Sequence, residues 1–379
     1  MSAPRHICYL TGTRADFGLM ASTLRRLNAD PRLALSVLVT GMHLAPEFGL
    51  TVREIEAEGF DLHGRVPCDM ANADGGRMAR NIGIMLGGFV EALERRRPDA
   101  LLVLGDRGEM LAGALAAAHL GIPVVHLHGG ERSGTVDEPV RHAISKLSHL
   151  HLTATSDARE RLIRMGERAD RITVVGAPGL DGLASMVVRN RADLCAQEGL
   201  VADRPLALLV FHPVLQESAL AGEQMRLIAQ TLLDTGHQVL ALMPNADAGS
   251  AEVRSALQSF AVAGRFVVKT HLPRPEFVAW MAAADLMIGN SSSGIIEAAS
   301  FGTPVINLGS RQHMRERNAN VQDAPVEAAA LLTALAAVPG RAVPPYVNVY
   351  GDGQAGPRIV DFLASVPLTP DLLDKCNAY

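Results

Sequence analysis

The sequence predicts an α/β protein with two domains, each built around a parallel sheet covered by helices. Two observations predict this class. Short apolar runs alternate with longer amphipathic segments, and the alternation starts again after a stretch rich in Gly and Pro. With 379 residues, 48% of them hydrophobic, the chain is long enough for two cores. We therefore expect the domain boundary near residues 178–190.

The first half contains apolar runs of strand length, separated by helical segments such as "FGLMASTLRRLNAD" and "NIGIMLGGFVEALERRR". Such nearly continuous runs are typical of parallel strands, which are buried on both faces. In chain order the predicted strands are "HICYLTGT", "LALSVLVTG", "ALLVLGD", "VVHLH", "HLTATS" and "ITVVGAP".

The second half repeats the alternation, although no sequence repeat relates it to the first half. Each predicted strand is again followed by a helix-like segment. These strands are "LALLVFHPV", "QVLALMPN", "RFVVKTH", "LMIGNSS" and "TPVINLG".

The composition excludes several classes of protein. The net charge of −5 offers no basic surface to nucleic acid, and no apolar run reaches the roughly 18 to 20 residues of a membrane helix. The four cysteines lie far apart without a CxxC pair, which favours reduced thiols in the cytoplasm. The chain start lacks the pattern of a signal peptide. We expect a cytoplasmic enzyme with no nucleic-acid or membrane partner.

Polar motifs follow directly after many of the predicted strands. The carboxyl ends of parallel strands meet at one edge of a sheet, where open α/β sheets bind ligands. The motifs therefore predict a site in the cleft between the two domains. They are "TGTRADFG", "LGDRGE", "HLHGGE", "FHPV", "MPNADAGS", "KTHLP" and "GNSSSG".

The motif "GNSSSG" predicts a phosphate site at the start of a helix. Backbone amides and the hydroxyls of Ser291 and Ser292 suit an anion, although one Ser there would be explained by a helix cap. Glu297, about one turn further in, can accept hydrogen bonds from a ribose diol or be an ordinary helix residue. Arg311, after the next strand, can bind the same anion or be solvated.

At the first strand end, "TGTRADFG" places Arg14 and Gly18 at the turn into a helix. A guanidinium at the cleft mouth matches a diphosphate. Asp16 in the same turn is compatible with a helix cap as well as a functional group.

The motifs of the second half predict further contacts with a nucleotide. His212 should project into the cleft, because Pro213 fixes the turn that follows it, and an imidazole opposite a phosphate site can bind phosphate. The loops "MPNADAGS" and "KTHLP", which contain Asn245, His271 and Leu272, can hold a base or ribose.

Carboxylates gather around "HLHGGERSGTVDEPVRHAISKL" and the strand before it. Asp106 and Arg107 follow that strand, and Asp106 is compatible with a general acid or base or with a helix cap. Glu131 lies in the glycine-rich turn and Glu138 at the start of the next helix, with His142 one turn later on the same face. Together they predict paired acid–base groups acting on a substrate held by its phosphates.

A metal site is the alternative for this stretch. His126 and His128 are predicted to point the same way along a strand, with Glu131 as a third ligand. No HExxH motif or cysteine pair accompanies them. The sequence therefore favours acid–base chemistry with no metal and no cofactor, and His149 and His151 are expected to be structural.

Taken together, these motifs resemble the hydrolysing UDP-N-acetylglucosamine 2-epimerase family, in particular its sialic-acid and legionaminic-acid branch. The resemblance runs from "TGTRADFG" through "HGGERSGTVDEPVRHAISKLSH" to "GDG" near residue 351. It implies two Rossmann-like domains in the GT-B arrangement, residues 1–180 and 181–354, with the active site in the interdomain cleft. It also implies that a helix within residues 355–379 crosses back to the first domain, and that the protein is a homodimer or homotetramer.

The resemblance also implies roles for single residues, which extend the assignments above. The predicted catalytic residues are Asp106, Glu131, Glu138 and His212. The predicted substrate-binding residues are Arg14, Gly18, Arg107, His128, His142, Asn245, His271, Leu272, Ser291, Ser292, Glu297 and Arg311. Gly108 follows "GDR" where many sialic-pathway members carry a bulkier aromatic residue, which predicts a larger sugar pocket.

The implied reaction converts UDP-N-acetylglucosamine to N-acetylmannosamine and UDP through a glycal. The alternative is the same reaction on UDP- or GDP-linked N,N'-diacetylbacillosamine, because the "GDRGE" form resembles members of the legionaminic acid route. A GT-B glycosyltransferase and a non-enzymatic nucleotide-sugar sensor are the rival hypotheses. The acidic residues around the first-domain loop favour the epimerase, since neither rival requires them.

Overall fold

Two parallel β-sheets organise the chain. The computed structural model describes residues 3–70, 74–261, 264–338 and 346–379. Within these ranges one sheet has seven strands and the other has six. The predicted fold class is therefore confirmed.

The strands follow the predicted runs, with two additions. The first sheet comprises β1 (Arg5–Thr11), β2 (Leu33–Thr40), β3 (Leu62–Val66), β4 (Ala100–Leu104), β5 (Val124–Leu127), β6 (Leu150–Thr153) and β7 (Ile172–Val174). The second comprises β8 (Leu206–Val210), β9 (Gln238–Leu242), β10 (Phe266–Lys269), β11 (Leu286–Gly289), β12 (Val305–Leu308) and β13 (Val321–Ala324). Sequence analysis missed β3 and β13, which lie at sheet edges, because half-exposed edge strands lack a continuous apolar run.

Helices connect the strands and cover both faces of each sheet. Those of the first half are α1 (Arg14–Ala29), α2 (Val52–Ala57), α3 (Gly75–Arg95), α4 (Gly108–His119), α5 (Asp137–Leu147), α6 (Ser156–Arg164) and α7 (Leu183–Met186). Those of the second half are α8 (Arg191–Gln197), α9 (Ala221–Asp234), α10 (Ser250–Phe260), α11 (Arg274–Ala283), α12 (Ser292–Ile296), α13 (Ala328–Ala336) and α14 (Ala355–Ser365).

Both sheets have the same strand order, except that the first has one more edge strand, β7. The first runs β3-β2-β1-β4-β5-β6-β7 and the second β10-β9-β8-β11-β12-β13, all strands being parallel. The order reverses direction between β1 and β4 and between β8 and β11. Such reversal points leave a crevice at the carboxyl ends of the strands, where ligands bind in this class of sheet.

Alternate residues of a central strand fill two separate cores. Ile7 and Tyr9 of β1 belong to the core beneath α1, whereas Cys8 and Leu10 belong to the core beneath α3 and α4. This division follows from the two-residue period of a strand, and it requires apolar residues at every position. The continuous run in the sequence therefore has a direct structural cause.

The last helix packs against the first domain. Ile359, Val360 and Leu363 of α14 lie in the same core cluster as Met20 and Leu24 of α1. The domain limits at residues 180 and 354 stay predictions. Within the described ranges, no helix is long and apolar enough to cross a membrane.

Candidate active site

The predicted site residues gather where the two strand-order reversals face each other. Arg14 follows β1 and Asp106 follows β4 in the first sheet, whereas His212 follows β8 and Ser291 follows β11 in the second. The loops that flank each reversal therefore carry the motifs singled out in the sequence.

A cavity of about 430 Å³ lies between the domains. It is lined from one side by α1 and from the other by the loops after β8, β9, β10 and β11. The predicted site residues that line it are Arg14, Gly18, His212, Asn245, His271, Leu272, Ser291, Ser292 and Glu297. Its volume falls within the range of small-molecule pockets.

Arg14 reaches across this cavity, and Asp16 does not. The carboxylate of Asp16 accepts hydrogen bonds from the backbone N–H of Thr13 at 2.8 Å and of Gly12 at 3.1 Å, as one half of a capping box. Thr13 is thus the N-cap of α1, and Asp16 completes the cap from the third helical position. Arg14 donates to the carbonyl oxygens of Met243, at 3.3 Å, and Thr270 in the second domain. Burial lowers the pKa of Arg14 to about 10, so the guanidinium is charged at neutral pH.

The serine motif begins a short helix at the floor of the cavity. Ser291 is the N-cap of α12, which has five residues, and its hydroxyl lies 2.8 Å from that of Ser293. Gly289 has a φ of +133°, and a Cβ there would overlap the carbonyl of Val210. The motif therefore provides hydroxyls and backbone amides at a place where the chain must pass close to the neighbouring strand.

Two charged residues near this motif already have protein partners. Glu297 is buried and accepts a hydrogen bond from Arg274. Arg311 donates to the carbonyl of Asn290 at 3.1 Å, and its other terminal nitrogen lies 3.6 Å from Asp137 of the first domain. Arg311 therefore lies between the two domains, bonded to the second and close to a carboxylate of the first.

His212 is held as a neutral imidazole. The ring Nδ1 accepts from the backbone N–H of Asn245 at 3.2 Å, and the backbone N–H of His212 donates to Oδ1 of Asn290 at 2.7 Å. Burial, together with the positive charge of Arg311, lowers the pKa of His212 to about 3. At neutral pH the imidazole can therefore donate one hydrogen bond, from Nε2, into the cavity.

Arg141 of α5 joins two of the predicted catalytic carboxylates. Its fully buried guanidinium donates to Asp106 and, at 3.3 Å, to Glu138. Burial raises the pKa of Asp106, but the charges of Arg141 and Arg315 outweigh burial and hold it at about 2. Burial also raises the pKa of Glu138, but hydrogen bonds from His142, at 3.0 Å, and from the N–H of Ser133 lower it overall.

The third carboxylate, Glu131, is buried and bonded on both oxygens. Nδ1 of His128 donates to one oxygen, and Arg315 of the second domain donates to the other. His128 has a φ of +62°, a conformation in which a non-glycine residue is uncommon and which marks functional or strained sites. Burial and the nearby arginines lower the pKa of His128 to about 3, so the imidazole is neutral.

The rings of His126 and His128 are not oriented as the alternative of a metal site requires. His126 remains on β5 and its Nε2 donates to the carbonyl of Gly105 at 2.7 Å, whereas His128 lies beyond the strand end and turns to Glu131. The two rings therefore do not share a direction, and that expectation was wrong. Within the described ranges, no group of three His, Cys, Asp or Glu residues has metal-binding geometry.

The pocket expected at Gly108 is filled by protein. A Cβ at this position would lie 2.9 Å from Cγ1 and Cδ1 of Ile82 on α3. Glycine is therefore explained by the close packing of α4 against α3, and the prediction of a larger sugar pocket at this position was wrong.

Sequence reasoning missed two arginines that pair with the predicted catalytic carboxylates: Arg141 with Asp106, and Arg315 with Glu131. It also missed Asp247, which pairs with Arg107 at 3.1 Å across the cleft. His271 likewise forms an unexpected bond with Glu54 of the first domain. Arg141, Asp247 and His271 lie inside motifs that the sequence analysis quoted, whereas Arg315 lies four residues after Arg311. A count of charges would have indicated that three carboxylates in one site need cations.

Comparisons with known proteins find relatives along most of this chain. The sequence profile of the family described as UDP-N-acetylglucosamine 2-epimerase matches residues 25–364. A Legionella pneumophila protein named UDP-N,N'-diacetylbacillosamine 2-epimerase (hydrolyzing) is 49% identical over 99% of this chain and 100% of its own. A Campylobacter jejuni protein named GDP/UDP-N,N'-diacetylbacillosamine 2-epimerase (hydrolyzing) is 34% identical over 85% of each chain.

The fold also resembles a crystal structure of UDP-GlcNAc 2-epimerase from Neisseria meningitidis bound to UDP-GlcNAc. The TM-score is 0.78 at 20% sequence identity, covering 94% of this chain and 99% of the other. At this identity the likeness supports the arrangement of the two domains.

Proposed function

Because the chain belongs to the UDP-N-acetylglucosamine 2-epimerase family, we propose that it is a hydrolysing nucleotide-sugar 2-epimerase whose substrate is UDP-N,N'-diacetylbacillosamine. The observation that carries the proposal is that a nucleotide-sized cavity and a cluster of three carboxylates with two arginines share one cleft. The 49% identity with the Legionella pneumophila protein supports this sugar over N-acetylglucosamine, the first expectation from sequence.

The cavity suits a nucleoside diphosphate. Arg14 supplies a charge, Ser291 and Ser292 supply hydroxyls, and the neutral His212 supplies one N–H donor. Such donors stabilise the negative charge that develops on a leaving diphosphate. In this proposal Glu297, which accepts a hydrogen bond from Arg274, also accepts hydrogen bonds from the ribose hydroxyls.

The first chemical step is an elimination. The hydrogen on C2 of the sugar is not acidic, but departure of UDP places positive charge on C1 and makes that hydrogen removable. The C1–O bond breaks with its electron pair remaining on UDP, a carboxylate takes the C2 proton, and the C2–H electrons form the C1=C2 bond of a glycal. Asp106 and Glu131 are the carboxylates proposed to accept this proton.

The second step adds water to the glycal. Glu138 delivers a proton to C2 from the opposite face while the oxygen of water bonds to C1 and its proton passes to a carboxylate. His142, which is 26% exposed and bonded to Glu138, connects this carboxylate with solvent and allows it to be reprotonated. Across both steps one water is consumed, and UDP and the free 2-epimer of the sugar are released.

An NMR time course in heavy water tests the proposal. Purified protein is incubated with UDP-N,N'-diacetylbacillosamine and, in parallel, with its GDP-linked form and UDP-N-acetylglucosamine. We expect release of UDP and a free manno-configured sugar with deuterium at C2, fastest with the first substrate. Fastest turnover of UDP-N-acetylglucosamine would change the assigned sugar. Binding of UDP without consumption of any of the three would favour a transferase or a sensor.

A further inference from the structure

Arg315 of the second domain lies beside two carboxylates of the first domain. It lies on the segment between β12 and β13, and its Nη1 donates to the carboxylate of Glu131. Its Nη2 lies 3.7 Å from Oδ2 of Asp106. The side chains of Arg315 and Glu131 are only 8% and 3% exposed, so water screens their interaction weakly.

The contacts around Glu131 show why this charge matters. His128 donates to the other carboxylate oxygen but is neutral, and Arg141 binds the backbone carbonyl of Glu131 rather than its carboxylate. In the described part of the chain, the cation bonded to the Glu131 carboxylate is thus Arg315. The small cavity beside Glu131 is also lined by Arg132, Arg161, Met314, Glu316 and Tyr350.

Asp106 is held differently, because its bond with Arg141 lies within the first domain. Separation of the domains would leave Arg141 on Asp106 but would remove Arg315 from Glu131. A carboxylate that loses its guanidinium partner loses its fixed orientation, whether or not water reaches it. The state of Glu131 therefore depends on domain closure.

We propose that Arg315 is a positioning residue that holds Glu131, and through it the Glu131–Asp106 pair, ready to take the C2 proton when the second domain closes on the first. This inference rests on the proposed function. In the step concerned, the C2 proton passes to a carboxylate of this pair while the C1–O electron pair leaves with UDP. Proton removal is thereby restricted to the closed cleft, where the substrate is held at both ends.

Three variants test the proposal: Arg315→Met, Arg315→Lys and, as a matched control, Glu316→Ala. Glu316 accepts a hydrogen bond from Thr155 at 2.5 Å, so its removal breaks an adjacent contact between the domains without touching Glu131 or Asp106. Arg315 does not line the nucleotide cavity, so UDP affinity can be measured separately from turnover. Melting temperatures are recorded for each variant.

We expect Arg315→Met to lower kcat about 100-fold with little change in UDP affinity, as for loss of one preorganised group in an active site. The deuterium isotope effect for substrate labelled at C2 should increase, because proton removal becomes slower. The acidic limb of the kcat profile should move to higher pH, because a buried carboxylate without its cation binds a proton more tightly. Arg315→Lys should recover part of kcat, and Glu316→Ala should retain the wild-type isotope effect and pH profile.

Wild-type isotope effects and pH profiles in both Arg315 variants would overturn the inference while leaving the proposed function intact. So would equal losses of kcat in Arg315→Met and Glu316→Ala. If Arg315→Met does not fold, the isotope effect and pH profile of Arg315→Lys alone test the inference. This variant is sufficient because one ammonium cannot contact both carboxylates as a guanidinium does. Failure of the wild-type protein to turn over any of the three nucleotide sugars would overturn the proposed function, and this inference with it.

Discussion

The buried guanidinium of Arg141 on α5 donates to the carboxylate of Asp106 at the end of β4. The same guanidinium binds Glu138 at 3.3 Å and the carbonyl of Glu131 at 3.2 Å. One side chain thus connects two of the carboxylates that the sequence assigned to acid–base chemistry with the backbone of the third, Glu131. From α5 the guanidinium also donates to the hydroxyl of Ser133 at 3.2 Å, so it bonds the loop before that helix at two residues.

Replacement of Arg141 by Met should lower the free energy of unfolding by about 2 kcal/mol. This is below the 3 to 5 kcal/mol typical of a fully buried pair, because Asp106 and Glu138 are partly exposed. Urea unfolding at pH 7 measures the change. Arg132→Met, at an exposed position of the same loop, is the control and should change little. Equal stability of the two variants would contradict the connecting role of Arg141.

Replacement of Gly134 by Ala should weaken the contact between the domains. A Cβ at this position would overlap the carbonyl of Ser310 and the ring of His313, both in the second domain. We expect a larger radius of gyration by small-angle X-ray scattering and a fall in turnover of about 10-fold, since small misplacements of catalytic groups are costly. Gly83→Ala on α3, where a Cβ meets nothing within 4 Å, is the control and should retain both properties.

Replacement of Arg14 by Met should weaken UDP binding about 10- to 100-fold, the range for loss of one charge-assisted hydrogen bond. Arg14 lines the cavity and remains charged at neutral pH. Isothermal titration calorimetry with UDP measures the effect, and it should weaken as salt is added. Arg53→Met, at an exposed position of α2, should bind UDP as the wild-type protein does. Unchanged affinity in Arg14→Met would exclude Arg14 from the diphosphate site.

The stability of the protein at acidic pH should depend on Glu167. Burial raises its pKa, but bonds from His151, Lys146 and Lys375 outweigh burial and lower it from 4.5 to about 2. A lowered carboxyl pKa stabilises the folded state above about pH 4.5, and this contribution is lost as pH falls towards 2.

Between pH 4.5 and 2, the free energy of unfolding should therefore fall more steeply in the wild-type protein than in Glu167→Gln. Urea unfolding across this range gives the slope for each protein. Glu160→Gln, at an exposed position of α6, should keep the wild-type slope. Identical slopes in all three proteins would mean that Glu167 does not titrate in this way.

The strands at the centre of each sheet were predictable because both of their faces are buried. Ile7 to Leu10 feed two different cores, so each position must be apolar and the run is visible without a structure. The edge strands β3 and β13 were missed because polar residues face solvent there. The meeting of the polar motifs in one cleft was also predictable, because the loops that follow parallel strands lie at the same edge of the sheet.

Sequence alone was therefore sufficient for the fold class and for the residue types that meet in the cleft. It left open whether Asp16 takes part in the cap of α1 or acts in the cleft, and the structure places it in the cap with Thr13. The sequence also did not indicate that Arg141 and Arg315 pair with the carboxylates. Partners of this kind are separated by many residues along the chain, and a bond between them depends on how α5 packs against the first sheet and how the two domains meet. Those distances are set by tertiary packing, which no local pattern records.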